Sequence, residues 1–393
     1  MNIQQATRQY EIWLSGHLRV VDSDLEAKHE LMANDEFSFL RATFYRWAQL
    51  FPALCQEAAR APAVLAVGDL HVENYGTWRD SEGRLIWGIN DFDEVYPLPY
   101  TIDLVRLATS AWLASQHSRL ALDPASVCSV LLEGYAKGLE DGGEPFVLSE
   151  KHRYLREMAT NRLRDPTLYW ERFAALPAGG HLPAKVRSML KRSMPERGLA
   201  FRVAHRRAGL GSLGRERFTA LAEWCGSMIA REAKALLPSA CVWAGGLKDR
   251  RIYYSRMIAS AVRAPDPFLE IKDGWVLRRL APYCSRIELS QLPRSRDEEK
   301  LLLAMGRELA NAHLGSIGAV AAVRRDLRRR KSKWLRQAVE AMAKATRADW
   351  RDWRACPVPR RVRRQKPSDR CEGESCRARR DRAPRPDPVR AER

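Results

Sequence analysis

Asp69, Asn74 and Asp91 are the residues of this chain whose types and spacing could do chemistry. Asp69 and Asn74 stand five positions apart in Gly68-Asp-Leu-His-Val-Glu-Asn74, and Asp91 closes an apolar run in Ile89-Asn-Asp-Phe-Asp-Glu94. Three oxygen-bearing side chains so placed can converge on one hard cation, which prefers oxygen ligands. Phosphoryl transfer uses the same parts in the same order: a catalytic-loop Asp, an Asn five residues on, and a later Asp before Phe that holds the metal bridging the phosphates. The pattern predicts a magnesium-nucleotide site. Polar ligands flanking apolar strands would also be costly to bury without a partner.

The elements that must position them are short. Pro62-Ala-Val-Leu-Ala-Val67 and Arg84-Leu-Ile-Trp-Gly-Ile89 read as buried strands with Asp80-Ser-Glu-Gly83 as a turn between them. A hairpin of the two would carry Asn74 and Asp91 to one end. Pro97 and Pro99 then break the chain, and Thr101 is placed to cap a helix running to Ala114, with Asp103 in its first turn.

At these residues the chain resembles a bacterial family, domain-of-unknown-function family 2252, whose members carry G-D-x-H-x-x-N-x-G, N-D-F-D-E and D-x-x-R-L-A-x-S. Here those are Gly68-Asp69, His71, Asn74 and Gly76, then Asn90 to Glu94, then Asp103, Arg106-Leu-Ala108 and Ser110. Phe37-Ser-Phe-Leu-Arg41, Gly209-Leu-Gly-Ser-Leu-Gly214 and Leu309-Ala-Asn-Ala-His313 extend the likeness over residues 30–320. The resemblance implies an α+β, two-lobed, protein-kinase-like fold similar to aminoglycoside and choline phosphotransferases. It implies Asp69 as catalytic base, with Asn74 beside it, Asn74 and Asp91 as magnesium ligands, and Asp103 as a brace for the catalytic loop. In ordinary kinases the glycine loop precedes the catalytic loop; here Gly209 to Gly214 follows it, so the lobes are permuted along the chain.

Glycines let backbone N–H groups approach phosphate oxygens, which makes Gly209, Gly211, Ser212 and Gly214 candidate nucleotide contacts. Two readings fit the segment. In a kinase hairpin Arg215 to Trp224 is a strand, as the alternation of Phe218, Ala220, Ala222 and Trp224 favours; in a dinucleotide-binding unit it opens a helix and Glu232 reaches a ribose. The phosphates also need a cation. Arg231 stands where the family places Lys, and Arg231 or Lys234 could serve, though the two residue types are not interchangeable at a tight phosphate site.

Plainer readings stand beside these. Asp103 could simply favour its helix dipole, and His71 could be a structural histidine that pins the loop. Glu73, Asp93 and Glu94 could be solvated neighbours, with Asp93 the one placed to reach metal, and Gly209 to Gly214 an ordinary turn. Metallophosphoesterases also use D-x-H pieces, but no Gly-Asn-His occurs here. The eight histidines show no ligand spacing near the site, which argues against zinc or a dinuclear centre.

Composition bounds the rest. The 393 residues suffice for two lobes and a large core. No run reaches the ~18 to 20 apolar residues of a membrane span, no signal-peptide pattern opens the chain, and eight cysteines without regular spacing read as reduced thiols of a cytoplasmic protein. The net charge is +19, yet residues 324–393 hold 25 Lys and Arg against 10 Asp and Glu, leaving +4 for the remainder. That concentration makes nucleic acid a secondary contact of the tail.

Residues 324–344 read as a helix with Leu335, Val339 and Met342 on one face, and Asp297 to Leu314, Val127 to Leu139 and Glu150 to Asn161 as others. The expected organisation is a helical lobe over 1–200 carrying the catalytic and metal loops, a smaller β-rich nucleotide lobe over 201–290, C-terminal helices over 291–350 and a disordered basic tail over 351–393. The expected function is ATP- and magnesium-dependent phosphoryl transfer to a small-molecule acceptor. The alternative is a catalytically silent nucleotide-binding regulator that docks a partner through the tail.

Overall fold

In the computed structural model both apolar runs near the site are strands, but they do not pair with each other. The structure describes residues 1–116, 123–149, 151–160, 165–284, 286–287 and 298–356. The chain opens with helices α1 (Ile3–Ser15), α2 (Asp22–Met32), α3 (Glu36–Ala42), α4 (Phe44–Leu54) and α5 (Gln56–Ala59). Strands β1 (Ala63–Ala66), β2 (Tyr75–Arg79), β3 (Leu85–Ile89) and β4 (Tyr96–Pro99) follow. β1 pairs with β4, while β3 pairs antiparallel with β2, with Tyr75 opposite Ile89. Asn74 and Asp91 therefore do meet at one end, but through a hairpin of β2 and β3. All of β2 except Arg79 is buried, so it shows none of the alternation that marks a one-sided strand. Pro97 and Pro99 lie within β4, the second strand of a two-stranded sheet, where a missing N–H is tolerated.

Helix α6 (Thr101–Gln116) carries Asp103. Thr101 is its first residue and does not cap it: its hydroxyl donates to the Ala58 carbonyl at 2.7 Å. Next come α7 (Pro124–Asp141), β5 (Phe146–Val147), α8 (Arg153–Ala159), α9 (Pro166–Ala174) and α10 (Ala184–Arg192). Asp123 caps α7 through the N–H groups of Ala125 and Ser126, and Gly142 ends it at φ 81°. Of the helix expected over 150–161, α8 is described and both end residues lie outside the described residues.

The second half holds β6 (Arg202–Ala204), β7 (Arg217–Trp224), β8 (Ser227–Ala235), α11 (Ala240–Ala244), α12 (Tyr254–Ser260), β9 (Glu270–Lys272) and β10 (Trp275–Leu280). Five of these strands form an antiparallel sheet in the order β6-β7-β8-β10-β9. Its register places Arg217 beside Lys234, and Thr219 and Arg278 on either side of Glu232. Because side chains alternate along a strand, this is one charged face. The other face, with Phe218, Ala220, Ala233 and Leu277, packs on Val186, Met189 and Leu190 of α10.

Helices α13 (Glu298–Leu314), α14 (Ile317–Arg329) and α15 (Trp334–Ala355) close the described chain. α13 lies closely along α7, where a Cβ on Gly134 would strike the Leu303 carbonyl and one on Gly306 that of Leu131. The single helix expected over 324–344 is two: Arg330 turns to extended backbone, and its guanidinium reaches Asp326 at 2.7 Å and the Trp334 ring at 4.7 Å. Leu335, Val339 and Met342 are buried as their spacing implies.

The protein is thus a mixed α+β structure with several small sheets. Met1–Val358 cluster as one compact unit, and the main hydrophobic core draws on residues from Ala6 to Ala343. α15 runs to Ala355, and residues 357–393, with Cys371 and Cys376, lie outside the described residues. Among the described residues no helix is long and apolar enough to cross a membrane, and the cysteines are free thiols.

Candidate active site

The loop after β1 is held from below by Asp103. This fully buried carboxylate accepts the Val67 N–H at 2.7 Å and the Gly68 N–H at 2.8 Å, and bonds His313 Nε2 at 2.9 Å. His313 Nδ1 in turn meets the Tyr135 hydroxyl at 2.8 Å. Gly68 turns at φ 83°, and a Cβ there would run into the Glu94 carbonyl.

Asp69 faces the cleft with its side chain 20% exposed. Arg106, on α6 and wholly buried, holds Asp69 Oδ1 through Nε at 3.0 Å and through Nη2, while the same Nη2 donates to the Leu40 carbonyl of α3. Asp69 Oδ2 points toward Gly211: a Cβ on Gly211 would lie 2.9 Å from it. His71 sits behind the loop, its Nδ1 accepting the Glu73 N–H at 3.2 Å. Burial, followed by the charges of Arg41, Arg286 and Arg106, drives its pKa well below the usual histidine value, so the ring is neutral. Glu73 pairs with Arg41 of α3 at 2.5 Å.

Asn74 donates from Nδ2 to the carbonyls of Asp69 at 3.2 Å and Asp91 at 3.0 Å. Two carbonyl acceptors fix the amide's orientation, and its Oδ1 is left buried without a hydrogen-bond partner. Asp91 accepts from Lys234 Nζ at 3.1 and 3.2 Å and from Arg286 at 3.2 Å. Asp93 Oδ2 stands 2.7 Å from the same Nζ and 3.2 Å from Arg215, and its Oδ1 is a second buried oxygen without a partner. Glu94 is spent structurally on Arg215 and the Ala240 N–H, each at 2.6 Å.

The two aspartates are shifted in opposite directions. Burial would raise Asp91, but Lys234, Arg278 and Arg286 overcome it and hold Asp91 well below the usual carboxylate range. Burial and the neighbouring Asp91 charge push Asp93 up. Burial also lowers Lys234, opposed by both aspartates.

Asn74, Asp91, Asp93, Arg215 and Arg286, with Asp69, His71, Gly209, Gly211 and Ser212, line a cavity of about 30 Å³, room for an ion or a water. Among the described residues no three His, Cys, Asp or Glu side chains group to hold a metal by themselves. The donors here are an amide oxygen and two carboxylates, with two oxygens lacking partners. Such a set suits magnesium, which keeps waters and phosphate oxygens among its ligands.

The glycine segment links β6 to β7 through a 3-10 turn at Leu210–Ser212. Arg217 to Trp224 is a strand, and Glu232 is taken by Arg206 and Arg217 at 2.7 and 2.5 Å, so the dinucleotide reading is overturned. Against burial, Arg206, Arg217 and Arg278 hold Glu232 at about 2. Ser212 Oγ is bound within the segment, to the Gly209 carbonyl and to Arg217. Gly214, at φ 93°, does not line this cavity; its missing Cβ makes room for Leu25 of α2. Arg231 is also away from the site. Three positions from Lys234 on a strand means the opposite face, where Arg231 bonds the Ser193 carbonyl at 3.0 Å and lies over Phe268. Lys234 alone of the two candidate cations reaches the aspartates.

A larger cavity of about 380 Å³ adjoins the small one, sharing Asp91, Gly209 and Arg286, and spreads over the charged sheet face. Among the described residues ten Arg and Lys side chains line it against three carboxylates, an excess of positive charge. Arg106, Arg215, Arg278 and Arg286 were absent from the sequence reading as site residues. Arg106 sits within the D-x-x-R pattern; for the others nothing local in the sequence marks an arginine that reaches a distant element.

Glu308 supports the end of β3, accepting the Ile89 N–H at 3.1 Å and the Asn311 amide at 2.9 Å. Burial pushes its carboxyl up to about 7. A carboxyl raised on folding binds more protons in the native state, so its contribution to stability is full below pH 4.5 and is lost as pH rises through 7. Glu308→Gln is expected to flatten the melting temperature between pH 5 and 8 relative to wild type, a difference of at most about 3 kcal/mol; parallel melting curves for the two proteins would refute the shift.

No curated protein and no solved structure matches this chain. Over residues 19–167, the stretch that carries Arg41, Asp69, Asn74, Asp91, Asp103 and Arg106, the sequence matches the family of uncharacterized proteins conserved in bacteria, DUF2252, and that is the family this chain is similar to.

Proposed function

We propose that the protein is an ATP- and magnesium-dependent phosphotransferase of kinase-like fold acting on a small-molecule acceptor. The observation that carries this reading is the pair of partnerless buried oxygens, Asn74 Oδ1 and Asp93 Oδ1, beside Asp91 in the cavity that Asp69 faces, with Lys234 paired to both aspartates. The order strand, glycine segment, strand, strand with lysine in β6 to β8 supports it, since a kinase template places its glycine loop and its lysine in that sequence.

Asn74, Asp91 and Asp93 would hold magnesium, which neutralises charge on the phosphates. Asp69 Oδ2 orients the acceptor hydroxyl and takes its proton as that oxygen bonds to phosphorus; the bond from phosphorus to the bridging oxygen breaks, and its electron pair leaves on the diphosphate. Lys234 stabilises the phosphate oxygens, and Gly211 leaves Asp69 Oδ2 open. A silent nucleotide-binding regulator is the second reading, favoured by Arg106, whose buried guanidinium engages Asp69 as an ion pair.

The test is thermal unfolding with ATP and GTP, with and without magnesium, for wild type and Asp91→Ala. Binding only to the native state adds about 2.7 kcal/mol at a ligand concentration of roughly a hundred times Kd. A magnesium-dependent rise that Asp91→Ala lacks is expected. A wild type that does not respond to either nucleotide would sink both readings, and a response without turnover would leave the silent one.

A further inference from the structure

Asp91 pairs with two cations that are held very differently. Its carboxylate accepts Lys234 Nζ at 3.1 and 3.2 Å and Arg286 Nη2 at 3.2 Å. Lys234 is fixed on β8 with its side chain 1% exposed, and Asp93 grips the same Nζ at 2.7 Å. Arg286 is 22% exposed, and among the described residues Asp91 is its one ion-pair partner, farther off than the about 2.7 to 2.9 Å usual for a charged donor. Of the two, Arg286 is the one that can leave.

The backbone of Arg286 is nonetheless anchored to the hairpin that carries the site. Gly76 lies opposite Arg286 in an antiparallel bridge, and the next residue, Ile287, donates its N–H to the Tyr75 carbonyl at 3.0 Å. Tyr75 and Gly76 directly follow Asn74, so the side chain starts from a fixed base beside the Asp69 loop. Its charge is felt there: Arg286 is among the charges that, after burial, lower the pKa of His71. Arg286 also lines both cavities, the small one with Asp69 and Asn74 and the larger one over the charged sheet face. Among the described residues the small cavity has one other arginine in its lining, Arg215, which is 4% exposed and spent on Asp93 and Glu94.

We propose, within the phosphotransferase reading on which this rests, that Arg286 is a catalytic residue that binds the phosphoryl group in transit from nucleotide to acceptor. When Asp91 ligates magnesium, one of its two cation contacts yields; Lys234 keeps Asp93, whereas Arg286 has the junction of the cavities to turn into. In the loose transition state of phosphoryl transfer, charge is spread over the three equatorial oxygens of the transferred group. A guanidinium donates to such oxygens through its fork and keeps its proton throughout. Lys234 then serves the phosphates that stay on the nucleotide.

Aluminium fluoride with magnesium-ADP is the probe, because its complex stands in for the transferred phosphoryl group and needs no identified acceptor. The full chain is titrated calorimetrically with magnesium-ADP, without and with aluminium fluoride, for wild type, Arg286→Gln and Arg286→Lys. Wild type is expected to bind at least about tenfold more tightly when the fluoride is present, as a transition-state mimic does. Both variants should bind magnesium-ADP within about threefold of wild type, a difference of well under 1.4 kcal/mol. The fluoride gain should vanish in Arg286→Gln and shrink about threefold or more in Arg286→Lys, which keeps a cation for Asp91 but lacks the fork. The lysine variant carries the comparison if the glutamine variant folds poorly.

A full fluoride gain in both variants would overturn the proposal and leave Arg286 a structural partner of Asp91. Equal weakening of magnesium-ADP with and without fluoride would also overturn it and assign Arg286 to the nucleotide diphosphate. Wild type that binds magnesium-ADP without any fluoride gain overturns the proposal while the nucleotide site stands. Wild type that binds neither removes the phosphotransferase reading, and this role with it.

Discussion

Asp69→Asn is expected to lower phosphoryl transfer by about 10²- to 10⁴-fold, the usual share of a positioned general base, while the magnesium-ATP thermal shift stays close to that of wild type. The split follows from how the carboxylate is held. Arg106 takes Oδ1, so Oδ2 is the oxygen turned to the cleft beside Gly211. Asn keeps an acceptor for Arg106 but presents an amide where the proton must go. It also leaves a buried guanidinium less well compensated, so turnover must be compared well below the melting temperature of the variant.

Gly211→Ala offers a second route to the same oxygen. Its Cβ would stand 2.9 Å from Asp69 Oδ2 and 3.0 Å from the Arg41 carbonyl, at a backbone conformation that alanine adopts freely. It should reduce kcat with the carboxylate still present. An unchanged kcat in Asp69→Asn would show that Asp69 is not the base.

Asp103→Ala is expected to cost roughly 3 to 5 kcal/mol of unfolding free energy, read from denaturant titration. The carboxylate is the acceptor for two buried backbone N–H groups and meets His313, and truncation strands all three in a site with no room for several waters. Because Val67 and Gly68 lead directly into Asp69, the loop should loosen as well, and nucleotide binding should weaken in a variant that still folds. A loss below about 1 kcal/mol would instead return Asp103 to the role of a charge favouring its helix dipole.

The local part of the site was legible in the sequence. Asp69 and Asn74 share one loop, and that loop and Asp91 flank a single hairpin. The spacing of the three therefore survives whatever the rest of the chain does. The end of β3 was correctly placed although the hairpin partner was mistaken, since β2 is buried on both sides and carries no periodic signal. Alternation in Phe218 to Trp224 likewise identified β7.

The choice between Arg231 and Lys234 shows where sequence reading stops. Both are cations on one strand, and only the sheet register and the packing of one face on α10 decide which of them meets Asp91. Gly214 looked like part of a phosphate cradle and is instead a packing position against α2.

The sequence by itself determined the chemistry available: an aspartate and an amide in one loop, two further carboxylates as hard oxygen donors, and a basic stretch concentrated after residue 324. Only the tertiary structure decided what surrounds them: Arg106 on Asp69, Arg215 on Asp93 and Glu94, Lys234 and Arg286 on Asp91, and His313 behind Asp103. Those pairs span sequence separations from 37 to 210 residues. Periodicity and local spacing report the face a residue occupies within its own element, whereas charge pairing across elements depends on how the elements are packed together, which no short stretch of sequence encodes.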